Sequence, residues 1–277
     1  MRFVFLHGGP GLNSFAEQVI LGPSISAAGH ETTFWNEPSI NRPDGDPFNI
    51  HGAFEHWIAS AERAFLAAAA TEPVCVLAHS FSYSAACELA RRYPERIAGL
   101  VLIAPAAKPS LSFKNVLKVA QGLASQETVT MFDDCVSRTC ALLDAPMRRG
   151  FELILGQPAL LNGLFTSYWV NRERFRAWLS TQTSTKAQFD VASFLSVLDD
   201  YCARADTLRS ARSVSTRTLV FFARQDPVVM MTEQAPAVQA DIPHAQIELI
   251  DDCGHFIHLE RPQDWVRRVL EWSSATT

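Results

Sequence analysis

The sequence predicts an α/β protein in which a mostly parallel sheet is flanked by helices, and three observations predict it. Short apolar runs alternate with longer amphipathic stretches, as in repeated strand–helix–strand crossovers. The run Gly99-Leu100-Val101-Leu102-Ile103-Ala104 is apolar without alternation, as a parallel strand buried on both faces must be. The residues best suited to chemistry fall just past the ends of such runs, where open parallel sheets bind their ligands.

Strands are expected over 2–6, 31–35, 73–78, 98–104, 217–223 and 246–250. Helices are expected over 14–28, 52–70, 82–93, 232–240 and 262–273, where apolar residues recur at helical spacing. From about 108 to 212 the alternation stops. Helix-like periodicity over 113–124, 128–143, 147–155 and 189–201 takes its place, with little strand character. The expected organisation is therefore a core of 1–107 and 213–277 with a helical cap, 108–212, inserted after the fourth strand. Most of the cap's large apolar side chains are expected to pack its helices together. Phe151, Phe165 and Trp169 are the candidates for an apolar substrate-binding surface.

Composition restricts the function. The 277 residues are 48% hydrophobic and 19% charged, ordinary for a folded protein with a large core. A formal net charge of −5 without a basic run leaves no electrostatic footprint for nucleic acid. No apolar run is long enough to span a bilayer. The N-terminal run Arg2-Phe3-Val4-Phe5-Leu6 is too short for a secretory signal and is needed as a strand. The six cysteines, at 75, 87, 135, 140, 202 and 253, form no C-x-x-C pair, so reduced buried thiols in a cytoplasmic protein are expected. His255 and His258 are three apart with no third ligand nearby, so no metal site is expected, and no cofactor.

The most telling stretch is Val74-Cys75-Val76-Leu77-Ala78-His79-Ser80-Phe81-Ser82, followed by the amphipathic 83–92. It reads as a strand turning sharply into a helix with Ser80 at the apex, flanked by small residues that let the backbones pass. A serine hydroxyl needs a base to take its proton, and the base needs a carboxylate to hold its tautomer. His255, just past the apolar run 247–250, is the candidate base. Asp226, past the run 219–223 and before Pro227, is the candidate acid. Asp199, Asp200 and Asp206, before the fifth strand, are alternative acids, while Asp251 and Asp252 read as caps or turn formers. The first apolar run leads directly into His7-Gly8-Gly9-Pro10-Gly11, whose glycines let backbone N–H groups approach a reacting carbonyl. An acyl-transfer site needs two such donors, and Gly9 and Phe81 are the candidates for the oxyanion hole. His7 is expected to orient the glycine loop or to touch substrate, and His79 to shape the elbow or pocket. Ser82 and Ser84 are expected to face away from the chemistry.

Taken together, the 7–11 loop, the 78–82 elbow, the 223–228 strand end and Gly254-His255-Phe256-Ile257-His258-Leu259-Glu260-Arg261-Pro262 resemble the α/β-hydrolase superfamily. The resemblance covers roughly 1–107 and 213–277. It implies the α/β-hydrolase fold, with Ser80 as nucleophile, Asp226 as acid and His255 as base, in the chain order known for that scaffold. Four departures stand out. The elbow's usual glycines are Ala78 and Ser82, and Tyr83 replaces a further one. Asn36-Glu37-Pro38-Ser39 with Arg42-Pro43-Asp44-Gly45 replaces the usual D-x-x-G-x-G-x-S loop. The family's opening antiparallel edge strands are missing, so the sheet should be about two strands shorter, or its edge covered by a partner such as a second protomer.

The expected activity is hydrolysis of an ester or thioester with an apolar acyl or alcohol part, through an acyl-Ser80 intermediate. Alternatives are a proline iminopeptidase-like aminopeptidase, whose oxyanion loop this one resembles and for which Glu152 or Glu173 would hold the amine, a carbon–carbon bond hydrolase, a cofactor-free lyase, an acyltransferase, and a non-catalytic ligand-binding homologue.

Overall fold

The computed structural model describes residues 1–41, 48–137, 145–182, 189–208 and 213–275. The 42–45 stretch, Cys140 and the end of the helix expected over 128–143 lie outside the described residues, as do the side chains of Cys135, Cys202 and Asp206.

The chain alternates as expected. Strands β1 (Arg2–Leu6), β2 (Glu31–Trp35), β3 (Val74–His79) and β4 (Ile97–Ile103) are separated by helices α1 (Phe15–Ala27), α2 (Ala53–Ala68) and α3 (Tyr83–Arg92). Six helices follow: α4 (Pro109–Leu123), α5 (Gln126–Ser137), α6 (Ala145–Leu155), α7 (Pro158–Ser167), α8 (Arg172–Gln182) and α9 (Val191–Leu208). The chain then returns to strand β5 (Thr218–Ala223), helix α10 (Met231–Asp241), strand β6 (Gln246–Ile250) and helices α11 (Ile257–Glu260) and α12 (Pro262–Ser274). Every expected strand is present to within a residue. Helix α4 begins four residues before its expected start, because Pro109 occupies the first turn, where a missing N–H costs nothing. Helices α7 and α8 were not among the expected periodic segments. The first is apolar on most sides, and only Phe175 and Trp178 are buried on the second, so neither carries a helical stripe.

The six strands of the described residues form one parallel sheet in the order β2-β1-β3-β4-β5-β6. Every residue of β3 and β5 is buried, and so is all of β4 except Ala98, which accounts for their continuous apolar runs. The edge strand β2, Glu-Thr-Thr-Phe-Trp, alternates exposed and half-buried positions instead. Around the sheet, α1 packs on α12 and α2 on α3. Strand order reverses direction between β1 and β3, and the loops leaving their C-terminal ends open a crevice at that point. No helix among the described residues is long and apolar enough to cross a membrane.

The helices between β4 and β5 are fastened to the strand-end loops by polar contacts. Asp190, which precedes α9, carries most of them. Its N–H donates to the Gly11 carbonyl (2.8 Å). Its carboxylate accepts from Ser39, from the backbone of Ile40 (2.9 Å) and Asn41 (3.0 Å), and from the Ser193 backbone (3.1 Å) and hydroxyl (2.8 Å). Burial alone would raise its pKa, but these donors hold it well below the usual carboxylate range. A second tie runs from the Phe54 N–H to Asp200 (2.9 Å), at the start of α2.

Asp190→Ala strands several buried donors and should lower the free energy of urea unfolding by about 3 kcal/mol. Because the folded-state pKa of Asp190 is depressed, its contribution is present above the unfolded carboxylate value of about 4 and is lost as the pH falls further. The acid limb of a stability–pH curve should therefore be shallower in Asp190→Asn than in the wild type.

Candidate active site

Ser80 occupies the turn between β3 and α3 with a φ of 53°, in the left-handed region that side chains disfavour. Strain of this kind persists only where surroundings hold it. Here the Ala106 N–H donates to the Ser80 carbonyl (3.1 Å), and the buried Ser82 hydroxyl donates to the His7 carbonyl. Ser82 thus makes a hydrogen bond that the usual glycine could not, and it faces β1 rather than the crevice. Tyr83, in place of another glycine, is buried and donates its hydroxyl to Asp241 (2.7 Å), while burial pushes its phenol far up.

The three residues that the sequence singled out converge. His255 Nδ1–H donates to Asp226 Oδ2 (2.7 Å), and His255 Nε2 lies 3.1 Å from Ser80 Oγ. The other carboxylate oxygen of Asp226 accepts from the N–H groups of Val228 (2.8 Å) and Val229 (2.9 Å), which fixes the carboxylate plane. An acceptor carboxylate at Nδ1 keeps the proton there and leaves Nε2 free to accept. The alternative acids lie elsewhere. Asp199 pairs with Arg148 and Asp251 with Arg224, both exposed, and Asp200 holds the start of α2.

The glycine loop after β1 is braced from below. His7 stacks on Trp35 (4.8 Å between centroids, 11° between planes) and donates from Nδ1 to the Gly8 carbonyl. Its Nε2 accepts from the Glu37 N–H (3.3 Å). The Glu37 side chain accepts from the Gly11 N–H (2.6 Å) and from Trp57 Nε1 (2.7 Å). Gly11 has a φ of 87°, and a Cβ there would come within 2.6 Å of Phe189, so no larger residue fits.

The histidine loop is held by the connection between α7 and α8. Its His255 N–H donates to the Tyr168 carbonyl (2.7 Å). Buried Glu260 accepts from Gly254 N–H (2.7 Å) on that loop and from Val170 (2.9 Å) and Asn171 (2.6 Å) between α7 and α8. Burial raises the Glu260 pKa against the pull of these donors. His79 donates from Nε2 to the His255 carbonyl (3.1 Å). Burial, with His258 and His255 close by, holds it well below the usual histidine range and keeps it neutral.

An apolar cavity of about 110 Å³ opens beside Ser80, bordered by Gly9, Phe81 and His255 and by residues of α4, α6, α7 and α9. Of the remaining candidates, His79, Phe151 and Phe165 line it. His7 and Trp169 do not. His7 is committed to the loop beneath, and Trp169 lies one layer back, stacked on Phe256 (4.8 Å). Glu37, Asp190 and Glu260 were missed as supporting residues. Glu37 had one signal, a charge two residues past the end of a strand, and Asp190 another, the Asp-x-x-Ser pattern of a helix start.

The chain belongs to the alpha/beta hydrolase fold family, which matches residues 2–262. Solved structures of the same fold include a proline iminopeptidase-related protein of Thermus thermophilus, with a TM-score of 0.73 at 18% identity over 99% of this chain and 89% of that one. A serine hydrolase of Cycloclasticus zankles (TM-score 0.65, 18% identity, 100% and 91% covered) and an esterase of Exiguobacterium antarcticum (0.65, 16%, 99% and 92%) are also similar. At such identities the likeness shows the fold alone. No curated protein matches the sequence.

A Cβ on Gly254 would lie 2.1 Å from the Tyr168 carbonyl oxygen, so Gly254→Ala must push the histidine loop off the cap. The rate at which a fluorophosphonate modifies Ser80 should fall about a hundredfold, in a protein whose thermal unfolding remains cooperative.

Proposed function

We propose that the protein is a serine hydrolase that cleaves a carboxylic ester with an apolar acyl or alcohol part. The observation that carries this reading is the unbroken Asp226–His255–Ser80 hydrogen-bonded chain beside an apolar cavity.

In this reading Ser80 Oγ attacks the ester carbonyl as His255 Nε2 takes its proton. The tetrahedral oxyanion accepts from the backbone N–H groups of Gly9 and Phe81. Asp226 stabilises the imidazolium without taking its proton. Collapse breaks the carbon–oxygen bond of the leaving group, and the alcohol departs with the proton from His255. Water then adds to the acyl-Ser80 carbonyl, giving a proton to His255. The acid leaves and the proton returns to Ser80 Oγ.

The oxyanion loop and the Thermus thermophilus neighbour invite an aminopeptidase reading, which needs a carboxylate for the substrate amine. Among the described residues no acidic side chain lines the cavity. Glu152 is exposed and paired with Arg148 (3.0 Å), and Glu173 is exposed on α8. A free ammonium group would enter an uncompensated apolar site, which is costly.

A fluorophosphonate should add once to the wild type, at Ser80, and not at all to Ser80→Ala, as read by intact mass. Asp226→Asn should retain the fold and lose about 10⁴-fold in kcat, because Nδ1 then meets a donor and the tautomer is wrong. An unlabelled wild type, or ester turnover that survives Ser80→Ala, sinks the proposal.

A further inference from the structure

The rings that border the cavity form a belt that begins and ends at the reacting groups. From Phe81, next to Ser80, ring contacts run to Phe113 on α4 (6.1 Å), Phe151 on α6 (5.5 Å) and Phe194 on α9 (5.4 Å). They return through Phe189 (5.5 Å), Phe165 on α7 (6.0 Å) and Tyr168 (5.8 Å) to the His255 imidazole (5.5 Å). Every member of this belt lines the cavity. Helices α4, α6, α7 and α9 thus each contribute a ring to one small space, although their sequences share no motif.

Two features of the belt bear on its occupant. Three of the seven ring contacts are steep, 89° for Phe113–Phe151, 74° for Phe165–Phe189 and 71° for Phe165–Tyr168, and the other four are tilted by 44° to 64°. Both ring edges and ring faces are therefore available to a guest. A flat aromatic guest can meet them in offset and edge-to-face contacts at once, whereas an alkyl chain gains only burial. The cavity volume is about 110 Å³. An apolar cavity of roughly 150 Å³ takes up benzene, so the space beside Ser80 is on the scale of one ring. Among the described residues no Asp, Glu, Lys or Arg lines it, so a charged guest would meet no counter-charge from these side chains and a neutral one is favoured.

We propose that the belt from Phe81 to His255 is a specificity site for one neutral aromatic ring, and that the substrate class is small esters carrying such a ring on the acyl or alcohol side. This rests on the serine-hydrolase reading above for its chemistry, but not for its binding. Phe151, in contact with the rings of both Phe113 and Phe194, is the belt residue whose removal tests this.

The test is a comparison on the wild type of ethyl benzoate, phenyl acetate, ethyl butyrate, ethyl octanoate and butyrylcholine, followed by acid release. Each kcat/KM is divided by the ester's own alkaline hydrolysis rate. One of the aromatic esters should lead butyrate and octanoate by about tenfold or more, and Phe151→Ala should reduce that lead while raising octanoate turnover. A lead for octanoate overturns the proposal. So does a lead for butyrylcholine, which would make the belt a cage for a cation. If no ester turns over and no fluorophosphonate adduct forms, the hydrolase reading fails and binding decides the site. Calorimetry on Ser80→Ala should then show methyl benzoate binding about tenfold more tightly than methyl hexanoate. Equal or weaker binding overturns the proposal by itself.

Discussion

Loops that leave a parallel sheet at the same end cannot pair with one another as strands do, yet their backbone N–H groups are buried and need acceptors. In this protein buried carboxylates supply them. Asp226 receives Val228 and Val229, Glu37 receives Gly11, Asp190 receives Ile40, Asn41 and Ser193, and Glu260 receives Gly254, Val170 and Asn171. Each has several donors, which is what makes a buried carboxylate tolerable. Asp226 and His255 stand on loops fastened in this way, and the Ser80 turn is held beside them by Ala106 and Ser82, so the distances between the three depend on both sets of bonds.

The fastening also joins the α7–α8 connection to the loop that carries His255. Tyr168 is bonded through its carbonyl to the His255 N–H, and its ring packs against the His255 imidazole at 64°. Glu260 then bonds both loops at once. A shift of the α7–α8 connection therefore moves the histidine and the cavity wall together. Two His79 neighbours, His255 and His258, add a constraint of another kind, since a neutral His79 can donate to the His255 carbonyl without placing a positive charge beside the His255 ring.

Departures from the family pattern have local physical explanations. Ser82 replaces a glycine and satisfies the His7 carbonyl, and Tyr83 replaces another and anchors α3 to the end of α10 at Asp241. Glu37 stands in the altered loop after β2 and takes on the bracing of the glycine loop. Such substitutions keep the turn by adding bonds where backbone freedom has been given up.

The strands, most of the helices and the three converging residues were legible because each rests on local signals. These were continuous apolar runs for the central buried strands, and a serine, an acid and a histidine within five residues of the ends of β3, β5 and β6. Burial on both faces makes such runs unavoidable in β1, β3, β4 and β5, while the edge strands β2 and β6 were legible from their β-branched and aromatic residues or alternation. A sharp strand-to-helix turn demands small neighbours, so the amino-acid order by itself nominated the strands and Ser80, Asp226 and His255. Helices α7 and α8 were not legible, since their burial is set by the elements around them and leaves no 3.6-residue stripe. The roles of Glu37, Asp190 and Glu260 were decided only in three dimensions, because each carboxylate serves donors from loops far away in the chain. For the same reason no sequence pattern could have separated Phe151 and Phe165, which face the cavity, from Trp169, which lies behind it. An aromatic residue on a cap helix is apolar either way, and only the packing of the helices on one another settles which ring meets the substrate space.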